Sequence, residues 1–537
     1  MKRYINKIAI VLLAITTLSV SCKKFEDFGT LNTDPTKSSN LDPVNQLVLT
    51  QLRFSGELTI NERTSIIMSM PLVQQIGGAY YTRYGFEYVK NRQYMSELWE
   101  LSYPNDVLNI VDATERSAKD PLKTNLNAMC RIMKVYIFAR MTDMYGDIPY
   151  KQAGRAYLAG IIRPEFDAQQ DIYNDFFKEL TEASAQLNAS KDNVAADIFY
   201  QGNIASWKKF ANSLHLRLAM RLSKVDPDKA KTELQAAYAA GIFTSADDNC
   251  ITHHADVQNS YADIRGNGIS VAINQYPDEG RPRICSTLLN AMSDANDPRL
   301  QPIARNYWVN PDKPSERIDV SDALRSRPTP YPIKGVDPGK YNYDDFLGAE
   351  SVDIGGGRVV QVPNNGLKVQ LANWMITNDA PYFHITYAET ELLLAEAAQR
   401  WGINLGGDAK THYQNGVAAA MKQLALFKGG PVITDTQIQS FRTDNPLAPG
   451  SELKAIDTQL WIALLLNGPE AYSNWRRTGF PVLTPAITGE STTTTTPRRF
   501  EYPLTETEQN AANINKAIAK LTGGLDDWTA RVWWDKL

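Results

Sequence analysis

A chain of 537 residues, 43% hydrophobic and 22% charged, has enough apolar material for a large folded body, which excludes disorder over most of its length. Its formal net charge of −4 provides no basic excess, which argues against a nucleic-acid partner.

The chain opens with Lys2, Arg3 and Lys7, followed by a mostly apolar, uncharged run from Ile8 to Val20. That run is shorter than the ~20 residues a spanning helix needs and fits a secretory signal. It ends Leu18-Ser19-Val20-Ser21-Cys22, which resembles a bacterial lipobox. The expectation is removal of 1–21 and lipidation of Cys22. An ordinary cleaved signal with a coincidental Cys is the alternative. Residues 22–40 hold Asn32, Asp34, Pro35, Ser38, Ser39 and Asn40, and read as a tether. A single domain is expected over 41–537, with an irregular insert at about 251–380.

Past the tether, Gly77-Gly78 precede Tyr80, Tyr81, Tyr84, Phe86, Tyr88 and Tyr94. This density of rings in a turn-prone stretch makes Tyr80, Tyr81 and Tyr84 candidate stacking faces. A packed helix–loop junction is the alternative. Helical periodicity is then expected over Asn127 to Met141 and Asp171 to Leu187. The clearest helix is Ser206 to Ser223, where Trp207, Phe210, Ala211, Leu214, Leu218 and Leu222 share one face. Lys208, Lys209, Arg217 and Arg221 are assigned mostly to other faces. Pro227 to Ala240 follows, with Asp226 as cap and Gly241 as stop.

The region from about 251 to 380 changes character, with many Pro, Gly, Asn and Asp among scattered aromatics. Such long loops are often functional. Tyr307, Trp308, Tyr331, Tyr341 and Tyr343 are its candidate ligand platforms, and Tyr261, Asn274 and Tyr276 a weaker set. Thr386 to Trp401 and Ala409 to Leu424 form a helical pair broken by Gly402, Gly406 and Gly407, resembling a tetratricopeptide-like unit. Residues 425–455 are expected to be irregular, and Ser491 to Thr496 a polar loop tip. The fold class is mainly α with long irregular excursions and a few short strands.

Cys130, Cys250 and Cys285 have no CxxC spacing and are expected as buried thiols. No metal or cofactor is expected. His253-His254 with Asp256 has ligand residue types, but adjacent His side chains diverge and no third cluster accompanies them. Glu389, Glu391 and Glu396 suggest paired carboxylates for glycoside cleavage. On one helix, however, Glu389 and Glu396 share the packed seam while Glu391 points away, so structural hydrogen bonds are expected. A surface glycoside hydrolase is therefore the weaker reading.

Several blocks stand in order along the chain: Asn32-Thr33-Asp34-Pro35, Thr142-Asp143-Met144-Tyr145-Gly146-Asp147-Ile148-Pro149-Tyr150, and Trp207 to Leu214 running on to Arg221. Asp297-Pro298-Arg299-Leu300, Ile385 to Glu389, Asn474-Trp475-Arg476-Arg477-Thr478-Gly479 and Arg498 to Pro503 continue the series. Together they resemble the SusD/RagB family of outer-membrane nutrient-binding lipoproteins, and its second SusD-like subgroup most closely. The resemblance implies a scaffold of tetratricopeptide-like helix pairs with an irregular ligand-binding part and no catalytic activity. It also implies a lipid-anchored place on the outer face of the outer membrane. There the protein would bind a glycan, or in the alternative a peptide, and pass it to a SusC-like TonB-dependent transporter. The blocks themselves read as structural: a helix exit at Tyr145 to Tyr150, and a helix end whose Arg476 and Arg477 satisfy carbonyls or acids.

Overall fold

The computed structural model describes residues 41–260, 263–338 and 348–536, without the side chains of Glu279 and Asn365. The lipidation candidate Cys22, and Tyr261, Tyr341 and Tyr343, lie outside the described residues.

Helices dominate. Helix α1 spans Pro43–Gly56, and a helical stretch from Leu58 to Leu72 adopts π geometry over Asn61–Ser69. Then come α2 (Arg92–Leu101), α3 (Leu108–Ala118), α4 (Thr124–Tyr145), α5 (Gln169–Gln186), α6 (Ile204–Arg221), α7 (Pro227–Ala240) and α8 (Gly268–Asn274). The C-terminal part holds α9 (Tyr387–Trp401), α10 (Ala409–Lys422), α11 (Asp435–Asp444), α12 (Glu452–Ala463) and α13 (Gly468–Thr478). Among the described residues, no helix is long and apolar enough to cross a membrane.

The scaffold is built from antiparallel neighbours: α4 packs on α5, α6 on α7 and α9 on α10. Local signals fix their ends. Asp226 accepts from Lys229 N at 3.1 Å at the start of α7, and Gly241 ends it at φ +95°. Thr386 caps α9, accepting from Glu389 N at 3.1 Å, and Gly402 ends it at φ +62°. The α9–α10 seam is close because Gly416 lacks a side chain: a Cβ there would lie 2.6 Å from Leu392 Cγ. Trp207, Phe210, Ala211, Leu214, Leu218 and Leu222 are all buried, each large side chain contributing roughly 1.5–3 kcal/mol. Cys130, Cys250 and Cys285 are free thiols in the core.

Arg217 and Arg221 depart from the expectation for α6: both are buried. Arg217 makes a bidentate pair with Glu389 of α9 at 2.5 and 2.6 Å, and Arg221 reaches Asp143 of α4 at 3.2 Å and also Glu470 of α13. Arg477 donates to Glu396 at 2.6 Å, and Arg476 to the carbonyls of Asp143 at 2.7 Å and Arg498 at 2.8 Å. Arg499 donates to the Tyr145 carbonyl at 3.0 Å, and Arg498 pairs with Asp535 at 2.6 Å. The sequence blocks from α4, α6, α9, α13 and the 498–503 segment thus meet in one buried lattice of guanidinium groups, acids and carbonyls. Burial raises the Glu396 carboxyl, but Arg477 and Arg400 outweigh it and hold the group down at about 2.

The strands form five two-stranded antiparallel ribbons among the described residues. They are β1 (Ile76–Gly77) with β3 (Arg283–Ile284), β2 (Cys250–Thr252) with β10 (Tyr382–Ile385), and β4 (Ala304–Arg305) with β9 (Gln370–Leu371). Two more are hairpins: β5 (Tyr307–Asn310) with β6 (Lys313–Asp319), and β7 (Ala349–Asp353) with β8 (Val359–Pro363). These two hairpins enclose a second small core of Trp308, Val320, Leu324, Val352, Val360, Val362 and Leu367.

Two polar stretches differ from expectation. Residues 425–455 contain α11, started by a capping box of Thr434 and Gln437, and the first turn of α12. The 491–496 run is anchored instead of hanging free. Ser491 Oγ donates to the Glu87 carbonyl at 2.6 Å, and Thr492 Oγ1 to the Tyr88 carbonyl at 2.9 Å.

Candidate functional site

The Leu58–Leu72 stretch delivers the chain to β1, where pairing with β3 forces a tight approach. A Cβ on Gly77 would sit 3.0 Å from the Phe86 ring, and Gly78 takes φ +78°. The chain then turns through Tyr80–Thr82 and a short helix, Arg83–Phe86. This turn splits the aromatic run. Phe86 and Tyr88 enter the core, while Tyr80, Tyr81, Tyr84 and Tyr94 remain at the surface or partly exposed.

Tyr80 is 55% exposed, with the Arg83 guanidinium 4.1 Å from its ring centroid. Arg83 is held in turn by Glu490 at 2.7 Å. Tyr81 stacks on Tyr276, which follows α8, with centroids 4.1 Å apart and planes 20° from parallel. The Tyr276 hydroxyl donates to Glu62, which also accepts from Gln275 at 2.6 Å. Tyr84 meets Tyr94 edge-to-face at 4.9 Å, and Arg63 lies 4.4 Å from the Tyr94 ring.

The Tyr81 hydroxyl is buried and has no hydrogen-bond partner among the described residues. Burial, then the neighbouring Tyr276 and Glu62, push its pKa well above the usual phenol range, so it stays an O–H donor at any ordinary pH. An unmade bond of this kind costs about 1–3 kcal/mol. Arg281 adjoins the cluster. Burial, then Arg317, lower it to about 10, with Arg283 adding to the effect. Glu62, Arg83 and Arg281 escaped the sequence reading; for Arg83 its three-residue spacing from Tyr80 was an available signal.

The other platform candidates fare differently. Tyr307 and Trp308 are 2% and 8% exposed, which corrects the expectation that they present stacking faces. Consecutive strand residues point to opposite sides, and here both sides are covered. Tyr307 lies under Arg317, 3.4 Å from its ring centroid, and accepts from Asn373 N at 2.8 Å. Trp308 fills the second core. Tyr331 is half-buried against that core, beneath Lys334 at 5.0 Å. Asn274 donates to the Ile376 carbonyl at 2.6 Å, a structural bond.

The carboxylates considered for hydrolysis are engaged elsewhere. Glu389 and Glu396 belong to the arginine lattice, and Glu391 accepts from Asn415 at 3.1 Å and lies 2.9 Å from His412 Nδ1. His254 is bonded through both ring nitrogens, to the Arg265 carbonyl at 2.9 Å and Ser55 Oγ at 3.0 Å. Burial lowers its pKa to about 4.

Comparison with known proteins places this geometry in a family. No curated protein matches the chain. A solved chitin-binding protein is 37% identical over 92% of this chain and all of its own, with a TM-score of 0.80. A SusD-like protein described as Bacteroidetes AC2a is 29% identical over 93% of this chain and all of its own, with a TM-score of 0.83. A chitin-binding SusD homologue from Flavobacterium johnsoniae shares the fold at 24% identity, covering 92% of this chain and 98% of its own, with a TM-score of 0.70. SusD-like proteins bind their ligands and are not enzymes. The second SusD-like family model, described as starch-binding and associating with the outer membrane, matches residues 38–320 and 337–503, and the chain belongs to that family.

Proposed function

We propose that the protein captures a glycan at the bacterial surface on the face built by Tyr80, Tyr81, Tyr84 and Tyr276, and delivers it to a SusC-like TonB-dependent transporter. Cys22 carries the lipid anchor in this reading, and the described body faces the exterior. The observation that carries it is the Tyr81 hydroxyl, a buried donor with no partner among the described residues, in the residue that follows the exposed Tyr80. Sugar rings present C–H faces that stack on aromatic rings, and their hydroxyls then need oriented donors and acceptors. Here Tyr80 supplies a face, Tyr81 a donor, and Arg83 and Glu490 flank them. Chitin oligosaccharides are the first ligands to test, because the 37% identical relative is named for binding chitin.

The test uses mature protein from Lys23 onward, with calorimetry against chitin and starch oligosaccharides and against mixed peptides. Binding to one glycan, weakened about tenfold or more by Tyr80→Ala and by Tyr81→Ala, is expected. Heat with peptides alone moves the ligand class to peptide. Glycan binding indifferent to both substitutions removes the tyrosine face from the site. For the transporter step, tagged full-length protein is isolated from detergent-solubilised outer membranes. A large barrel partner that co-purifies supports delivery, and its absence counts against it.

A further inference from the structure

A roomy cavity lies away from the tyrosine face. A cleft of about 260 Å³ lies between α3, α4, α5 and the segment that leaves the Tyr145–Tyr150 helix exit. The other described cavities measure about 60, 30 and 10 Å³ and are lined by the packed helical interior. At about 30 Å³ per water, the cleft holds eight or so waters, and it falls just under the ~300 Å³ at which drug-sized pockets begin. It suits one sugar-sized group.

Its wall carries five charged side chains, Glu115, Lys134, Lys151, Arg155 and Asp175, among apolar ones. Tyr150 leaves its ring in the wall and donates its hydroxyl to Asp175 at 2.7 Å. Gly154, at φ +68°, packs on Val107 and Val111 and turns the chain so that Arg155 comes back to Glu115 at 2.6 Å. Lys134 stands 5.5 Å from the Tyr150 ring, and its nearest acid, Glu179, is 3.7 Å away, beyond hydrogen-bond reach. Lys151 has the same relation to Asp167, also at 3.7 Å. Two ammonium groups therefore keep donors to offer, and they stand in one wall with the acids Glu115 and Asp175.

The charges decide the ligand class. Three cations line or edge the cleft, and Glu115, Asp175, Glu179 and Asp167 oppose them. A free anion would meet more acids than bases. A neutral polyol gains on both counts, since vicinal hydroxyls donate to carboxylates while accepting from ammonium groups. We infer that this cleft is a second carbohydrate site, taking one neutral pyranose unit through Lys134, Lys151, Asp175 and Glu115. It shares no lining residue with the tyrosine cluster, and the inference goes beyond the function proposed above: it holds whether or not the tyrosine face captures glycan.

Saturation-transfer NMR on the mature protein, with glucose, galactose, N-acetylglucosamine and galacturonate as separate probes, tests it. Transfer to at least one neutral sugar is expected to persist in the Tyr80→Ala/Tyr81→Ala protein. Its affinity should fall about tenfold in Lys134→Met and in Asp175→Asn, and less in Lys151→Ala. The Lys151 side chain is 63% exposed, so its loss cannot be ascribed to unfolding. No transfer to any neutral sugar, transfer to galacturonate alone, or transfer abolished by the tyrosine substitutions and untouched by the cleft substitutions would each overturn it.

Discussion

Arg477 meets Glu396 with both side chains fully out of water, while Arg358 meets Glu316 with 53% of the arginine side chain in solvent. The first pair lies in the helical scaffold, the second in the lobe of residues 305–367. The scaffold takes its charges inside and pairs them, so its helices are joined by bonds with direction. The lobe keeps its charges outside and closes on an apolar core of a few residues around Trp308. A buried pair fixes geometry, because a small shift leaves a charge unpaired. A small apolar core tolerates shifts, and its exposed ion pairs add little. A rigid scaffold carrying a softer lobe follows from this difference.

The largest effect should come from breaking the lattice. Arg477→Met leaves the Glu396 carboxylate buried with Arg400 as its remaining partner, and is expected to cost about 3–5 kcal/mol. Urea denaturation of the mature protein measures it. A loss below about 1 kcal/mol would mean that the scaffold is held by apolar packing alone, and the contrast between the regions would collapse.

Trp308→Ala should come next, at about 3 kcal/mol. Its signature is locality. Hydrogen exchange should accelerate in β5 to β8 and leave α4, α6 and α9 protected. Uniform acceleration across the chain would show that the lobe is no separate cooperative region.

These two substitutions also mark what could be read in the sequence. The α6 face was legible because Trp207, Phe210 and Leu214 lie within a few turns of one another. The role of Arg217 was not, because its partner Glu389 is 172 positions away and periodicity sees only neighbours. The motif blocks identified the family without revealing that they touch. Trp308 looked like a surface platform because a loop-rich composition hides the second hairpin that covers it. Tyr276 was legible as an aromatic in an irregular region, but its stacking on Tyr81 depends on the β1–β3 pairing, which two-residue strands do not announce.

Tyr81→Phe tests one of the buried polar groups that the scaffold side leaves without a hydrogen-bond partner among the described residues. Removing that hydroxyl is expected to stabilise the free protein by roughly 1 kcal/mol, read as a higher urea midpoint, and to weaken glycan binding in the same preparation. A destabilised variant would show that the hydroxyl already has a partner, such as a bound water, and would weaken its assignment as a ligand donor.

The subtlest effect concerns Asp457 of α12, fully buried and facing Glu396, Arg400 and Arg477. Burial, then the charge of Glu396, push the Asp457 carboxyl well above the usual carboxylate range, so the lattice keeps one acid protonated beside one ionised. In the unfolded chain Asp457 loses its proton near pH 3.9. Above that pH the native state binds the extra proton, so stability falls as pH rises toward the folded value. Glu396 acts the other way: its contribution is complete above about pH 4.3 and is lost as pH falls toward 2. Asp457→Asn keeps the shape and removes the titration. Its melting temperature should lie close to that of the unmodified protein near pH 4 and exceed it by a margin that widens toward pH 8. A margin constant with pH would mean that Asp457 is ionised in the native lattice, and that the scaffold tolerates two adjacent buried carboxylates on two arginines.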